Sequence, residues 1–149
     1  MIEKKLIFVD KDLKSKDEVF KFVSDEAYKL GFIESKTDFI DKLYYREGLM
    51  STSLDFNLAI PHAKSSTILY DFISYIKLSN DIMWNKTDDD VTNQVFLIAV
   101  SEGGSDRHLK YIAEISKKII DDEFRTKLKN SESVEEICEL LKGQEEIWK

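Results

Sequence analysis

The pattern of apolar and polar positions divides the chain into alternating strand-like and helix-like segments. Residues 4–9 form a short apolar run that predicts an edge or pairing strand, closed by Asp10-Lys11-Asp12. Helix signals follow at once. Ser15 stands three residues before Glu18, the spacing of a capping box, and Val19, Phe22, Val23, Ala27 and Leu30 recur at helical intervals up to Gly31 at a C′ position. A second helix is predicted after Ser35, with Phe39, Ile40 and Leu43 on one face and Arg46 and Glu47 in or just beyond its last turn. The period is lost over residues 51–57, as in a loop. Leu58, Ala59 and Ile60 then make a short apolar run ended by Pro61, which places His62 just past a strand.

Residues 72–78 alternate in β fashion, and residues 94–100 are the strongest central-strand candidate. Between them Asp88-Asp89-Asp90 reads as a solvated turn. Residues 101–105 have the composition of a flexible loop, after which Leu109, Ile112, Ala113, Ser116, Ile119 and Ile120 predict a third helix with His108 in its first turn. Residues 122–129 read as a short helix. Ser133 and Glu136 repeat the capping-box spacing, and Val134, Ile137, Cys138 and Leu141 lead to Gly143. The expected fold class is α/β, a single domain over residues 1–149 with helices flanking a mixed β-sheet.

Composition narrows the function classes. With 149 residues, 42% hydrophobic positions, nine Phe, six Tyr and two Trp, the chain can fill one core, and one Pro and five Gly exclude disordered or collagen-like character. The formal charge of −7, without a basic block, argues against nucleic acid and anionic membrane surfaces. No apolar run approaches the roughly 20 residues that cross a bilayer, and residues 1–10 lack an apolar h-region and a cleavage site. A cytoplasmic protein without membrane insertion is expected. The single cysteine, Cys138, excludes an internal disulfide and a cysteine-rich metal site.

Candidate chemistry centres on the two histidines, His62 and His108, each at the end of an apolar element beside a polar loop. A neutral imidazole nitrogen is a nucleophile near pH 7; the bland alternative is that each ring only hydrogen-bonds an element end. Two histidines with Asp55 or Asp106 would make a three-ligand metal site, but no His-x-x-x-His or cysteine-rich spacing supports it. Ser-His-Asp hydrolysis lacks a Gly-x-Ser-x-Gly elbow, and Gly103-Gly104-Ser105 lacks the lysine of a phosphate cradle. Cys138 beside Ile137 and Leu141 reads as a buried hydrophobe, as do Trp84, Phe39, Phe72 and Phe96 as core.

At Ala59-Ile60-Pro61-His62-Ala63 the chain resembles the type-2 EIIA domains (fructose, mannitol and nitrogen-related) of the bacterial phosphoenolpyruvate-dependent sugar phosphotransferase system. Arg46-Glu47 followed by Ser51-Thr52 is similar to the family's Arg-Glu segment and threonine-containing loop. Ile82-Met83-Trp84 with residues 91–99 resembles its tryptophan-containing turn and buried strand, and His108-Leu109 opens a helix as the family's second histidine does. Residues 121–124 and 133–137 carry the likeness toward the end of the chain. In that family the first histidine takes a phosphoryl group from phospho-HPr and passes it to an EIIB component, which serves a membrane EIIC.

The resemblance therefore implies that His62 is phosphorylated, that Arg46 lies beside the phosphoryl group, that His108 is a second donor, and that Thr52 offers a hydroxyl at the rim. It implies no metal and no organic cofactor, because the group arrives already activated. A guanidinium fork suits a group of about −1.5 to −2 charges. A regulatory module whose phosphorylation state controls a partner protein is the alternative. Leu49, Met50, Leu54 and Phe56 are members either of a docking patch or of the core. One departure stands out: Ser53, Asp55 and Asn57 occupy a stretch where the family often has glycines, and an inward Asp55 would repel a phosphoryl group.

Overall fold

Each local signal can be followed into an element of the computed structural model, which describes residues 2–85, 90–104 and 106–142. Strand β1 spans Ile2–Lys11 and helix α1 spans Lys16–Lys29. Ser15 caps α1, its Oγ accepting from the Glu18 N–H at 3.2 Å. The Glu18 carboxylate reaches back one residue further than a standard box, to the Lys14 N–H. The helix stops at Leu30, and Gly31 takes the left-handed φ of +79° that a residue with a Cβ resists. Helix α2, Lys36–Leu49, is capped in the same way by Ser35, whose Oγ accepts from Asp38 N–H at 3.0 Å.

Three short strands follow: β2 (Ser53–Leu54), β3 (Leu58–Ala59) and β4 (His62–Ser65). The long pair β5 (Phe72–Asn85) and β6 (Asp90–Ser101) comes next. A 3₁₀ turn at Glu102–Gly104 leads to α3 (Arg107–Ile120), α4 (Asp122–Asn130) and α5 (Val134–Lys142). Asp88, Asp89, Ser105 and Gly143 lie outside the described residues.

The sheet runs β1-β5-β6-β3-β2, with β4 also paired to β6. β1 is parallel to β5, β5 and β6 are antiparallel, and β3 and β4 both run parallel to β6. The two short strands behave as one edge strand interrupted at Ile60-Pro61. Ala59 pairs with Val95 and His62 with Ile98, so the register is the same on both sides of the break. Proline has no N–H to give, but its carbonyl accepts from Ile98 N–H at 2.9 Å. His62 thus lies just past β3, as expected, and is also the first residue of a further strand, while the apparent loop over residues 51–57 contains the β2–β3 hairpin. β5 continues past residue 78 to Asn85, with Ile82 and Trp84 buried and Met83 exposed. The buried side stays in phase, with Ile76 and Leu78 before and Ile82 and Trp84 after, and the polar run Ser79-Asn80-Asp81 between them conceals the continuation in the sequence.

Successive residues of β6 enter two different cores. Val95, Leu97 and Ala99 join Val19, Phe20, Val23, Phe39 and Leu43 under α1 and α2. Phe96, Ile98 and Val100 join Tyr111, Ile115, Phe124, Leu128 and Ile137 under α3, α4 and α5. Burial on both faces explains why residues 94–100 read as an almost unbroken apolar run. Trp84, Phe39, Phe72, Phe96 and Cys138 are all buried, as expected of core positions.

The glycine-poor hairpin solves its turn unusually. Phe56 and Asn57 both have left-handed φ, +67° and +61°. Asn tolerates this region, whereas a bulky aromatic residue is an outlier there. The Arg125 guanidinium lies 3.6 Å from the Phe56 ring centroid and donates to the last carbonyls of α3, at Ile119 (2.6 Å) and Ile120 (3.2 Å). This stack ties the strained turn to the α3–α4 corner. Asp55 is exposed. Among the described residues no helix is long and apolar enough to cross a membrane.

Ser15→Ala and Ser35→Ala each remove a helix N-cap. Each is expected to lower unfolding stability by about 1 kcal/mol, read as a lower urea midpoint at unchanged m-value.

Candidate active site

Strand alternation puts Ala63 in the first core and turns His62 toward the opposite face, where α3 begins. Because β4 is an edge strand, the side chain is also open to the C-terminal end of α2. Arg46, in that last helical turn, extends its guanidinium to the histidine: Nε donates to His62 Nε2 at 2.9 Å, and Nη1 donates to the Met50 carbonyl at 2.6 Å. His62 Nδ1 lies 3.1 Å from the Ile60 carbonyl. A neutral imidazole carries one proton, and a carbonyl only accepts, so the proton sits on Nδ1 and the lone pair on Nε2.

Electrostatics favour that neutral ring. Burial lowers the His62 pKa; the bond to Ile60 raises it, and the Arg46 and His108 charges lower it, leaving it below the ordinary value. His108, second residue of α3, has its ring centroid 6.1 Å from that of His62 and tilted by 33°. Its pKa is also lowered, first by burial and then by Lys64, with Asp106 opposing and Arg46 adding to the fall. Its Nδ1 is buried and has no hydrogen-bond partner among the described residues.

A cavity of about 490 Å³ opens beside both rings, lined also by Lys42, Tyr45, Arg46 and Lys64, with Leu109 and Ile112 on its apolar side. Three cationic side chains from two elements converge here, in a chain of net charge −7. The arrangement suits a small dianion. Lys42 and Lys64 were not singled out in the sequence, yet periodicity pointed to them: Lys42 precedes Arg46 by four helical positions, and Lys64 follows His62 by two strand positions.

The start of α3 is anchored by a residue that no sequence signal marks. Asp71 accepts from Arg107 Nε at 2.6 Å and Nη2 at 3.2 Å, and from the Ser101 N–H at 2.8 Å. Burial pushes the Asp71 carboxyl upward, but Arg107 and Ser101 outweigh it and hold the group below the usual carboxylate range. Arg107 directly precedes His108, so this ion pair fixes the turn that presents the second histidine.

Thr52 is buried, and its hydroxyl donates to Glu47. It is not among the residues lining the His62 cavity. Leu49, Met50, Leu54 and Phe56 are all exposed, Met50 to 71%, which removes the core alternative for them. No cluster of three metal-ligating side chains occurs among the described residues, and Asp55 and Asp106 form none with the histidines.

Residues 1–144 match the family described as "Phosphoenolpyruvate-dependent sugar phosphotransferase system, EIIA 2", and the chain belongs to that family. It is 29% identical over 147 residues to multiphosphoryl transfer protein 2 of Escherichia coli K12, covering 99% of this chain but 17% of that protein. With the PTS system fructose-specific EIIA component of Haloferax volcanii it shares 26% identity over 136 residues, 91% of this chain and 88% of the relative. In fold it is similar to the Escherichia coli mannitol enzyme IIA solved in complex with phosphorylated enzyme IIB. The TM-score is 0.79 at 22% identity, covering 96% and 98% of the two chains.

Both histidines should titrate below pH 6.5 by NMR, and Arg46→Ala should raise the His62 midpoint, because it removes a nearby positive charge. The stability consequence has a definite sign. The unfolded state takes up protons first, so stability falls as pH drops from about 6.5 through the lower folded pKa values. Urea titrations across this window should show a shallower fall in a His62→Gln/His108→Gln variant.

Proposed function

We propose that this chain is a cytoplasmic phosphocarrier: His62 accepts a phosphoryl group from phospho-HPr and passes it to an EIIB component, which in turn serves a membrane EIIC during sugar uptake. Residues 1–149 act in this reading as a single EIIA unit. The observation that carries it is the neutral His62 ring, with Nδ1–H bound to the Ile60 carbonyl and the Nε2 lone pair facing the Arg46 Nε–H.

The His62 Nε2 lone pair attacks the phosphorus of the donor phosphohistidine. An N–P bond forms on His62 as the donor's N–P bond breaks, and the departing electron pair returns to the donor imidazole. The proton on His62 Nδ1 stays in place throughout, and the Ile60 carbonyl stabilises the positive character that the phosphorylated ring acquires. Arg46 exchanges its bond to Nε2 for bonds to the equatorial phosphoryl oxygens, still steadied by its Nη1 contact with Met50. His108, with a free ring nitrogen at the first turn of α3, is a second donor to those oxygens. Onward transfer to EIIB is the same displacement in reverse. Positioning and charge stabilisation suffice, so neither metal nor organic cofactor enters.

Docking is assigned to the exposed apolar side chains Leu49 and Met50 beside the Arg46 contact, with Leu109 at the cavity edge; Leu54 is exposed on the adjoining hairpin, and Phe56 lies under Arg125 at the far end of α3. One patch serves donor and acceptor in turn, and a modest interface allows fast release. Thr52 contributes through its contact with Glu47.

Intact-protein mass spectrometry after incubation with phosphoenolpyruvate, Enzyme I and HPr is expected to show an HPr-dependent, acid-labile gain of one phosphoryl group. His62→Ala should abolish that gain while the circular dichroism spectrum is retained; normal incorporation would remove His62 from the mechanism. Arg46→Ala should slow uptake in rapid-quench measurements, by a barrier of about 2–3 kcal/mol. Onward transfer to an EIIB separates the carrier from a module that is phosphorylated only to control a partner.

A further inference from the structure

Arg46 and His62 belong to different elements, and the segment between them contains a second set of bonds that the transfer reaction does not use directly. Glu47, half-buried in the last turn of α2, turns both carboxylate oxygens on one residue. One oxygen accepts from the Thr52 N–H at 3.2 Å and the other from the Thr52 hydroxyl. Thr52 is 5% exposed, and its own carbonyl accepts from the Ile60 N–H at 2.9 Å. Ile60 is 3% exposed, and its carbonyl is the partner of His62 Nδ1.

The path is therefore continuous: Glu47 carboxylate, Thr52, Ile60, His62 ring. Its Glu47 end is covalently next to Arg46. Both partners of the 2.9 Å contact between Arg46 Nε and His62 Nε2 hang from the same clasp, Arg46 as the residue preceding Glu47 and His62 as the residue two beyond Ile60. The link crosses the one place where the edge strand is interrupted. There, Pro61 has no N–H to give, and its backbone is held to β6 by its carbonyl alone.

We propose that Glu47 and Thr52 are positioning residues for phosphoryl transfer: their clasp fixes the Ile60 carbonyl, and thereby keeps the His62 proton on Nδ1 and its lone pair on Nε2. This rests on the reading of His62 as the phosphoryl acceptor. The Thr52 hydroxyl is engaged by the carboxylate, so its part in the reaction is exerted through Ile60 rather than on the phosphoryl group. Both backbone and side chain of Thr52 are used, which a valine of the same shape cannot reproduce and a serine can.

The test compares the unsubstituted protein with Thr52→Val, Thr52→Ser, Glu47→Gln and the double variant Glu47→Gln/Thr52→Val. Two readouts are needed. The first is the imidazole ¹⁵N shifts of unphosphorylated His62, which report the tautomer without any partner protein. The second is the single-turnover rate of uptake from phospho-HPr, with folded fraction checked by urea unfolding. Expected are a mixed-tautomer ¹⁵N pattern and about tenfold slower uptake in Thr52→Val and in Glu47→Gln. Thr52→Ser should restore both readouts, and the double variant should fall no further than the worse single variant.

An unchanged Nδ1–H tautomer in Thr52→Val and Glu47→Gln would overturn the proposal. So would rates that merely follow the folded fraction, or a Thr52→Ser variant as slow as Thr52→Val. If the tautomer shifts as expected but the unsubstituted protein takes no phosphoryl group from phospho-HPr, the carrier reading fails while the clasp stands.

Discussion

The site depends on one constraint: residues 58–65 pair with β6 in a single register while the strand itself is interrupted at Ile60-Pro61. The backbone groups of Pro61 face β6, and the Ile60 N–H is turned the other way, to the Thr52 carbonyl. A full break would free the histidine from the sheet. The proline removes one donor without displacing the chain, and the Ile60 carbonyl is the acceptor for His62 Nδ1. The register then carries His62 to the end of β6, where α2 from one layer and α3 from the other come within reach of the same edge.

Electrostatics in that corner run against the rest of the molecule. An acidic chain gathers Lys42, Arg46 and Lys64 around two rings that burial and neighbouring charge keep neutral. A cationic cavity lowers the pKa of a histidine and attracts a dianion at once, so in the proposed transfer the same charges would prepare the nucleophile and receive the group. The second histidine is held by an ion pair of its own, Asp71 with Arg107, whose partners are 36 residues apart. Rigidity at both helix ends follows from hydrogen bonds to charged groups.

The hairpin before the site shows how a turn with left-handed backbone survives without a glycine. Asn57 accepts left-handed backbone through its short polar side chain, and Phe56 is held in it by the Arg125 guanidinium across its ring. The turn is thereby fastened to the end of α3, the helix that carries His108 at its other end. Strain in the turn and order in the helix are coupled through one arginine.

Much of the fold was legible because it is local. Ser15, Ser35 and Ser133 announce three helices by cap spacing, Gly31 closes the first, and residues 94–100 declare a doubly buried strand by their unbroken apolarity. β4 was hidden because four residues after a proline hold too little alternation to register, and the far half of β5 because the polar run Ser79-Asn80-Asp81 interrupts its apolar face. His62, Arg46, His108 and Thr52 were visible as residue types in a recognisable order. By itself the sequence determined the helices, the central strand and the inventory of reactive groups, since these follow from periodicity, caps and composition within a few turns of chain. Only the tertiary structure decided that Arg46 Nε meets His62 Nε2, that Asp71 anchors the second histidine, and that Thr52 faces Glu47 rather than the cavity. Those contacts join positions 5 to 36 residues apart, and no pattern confined to one element encodes which of its neighbours a side chain will find.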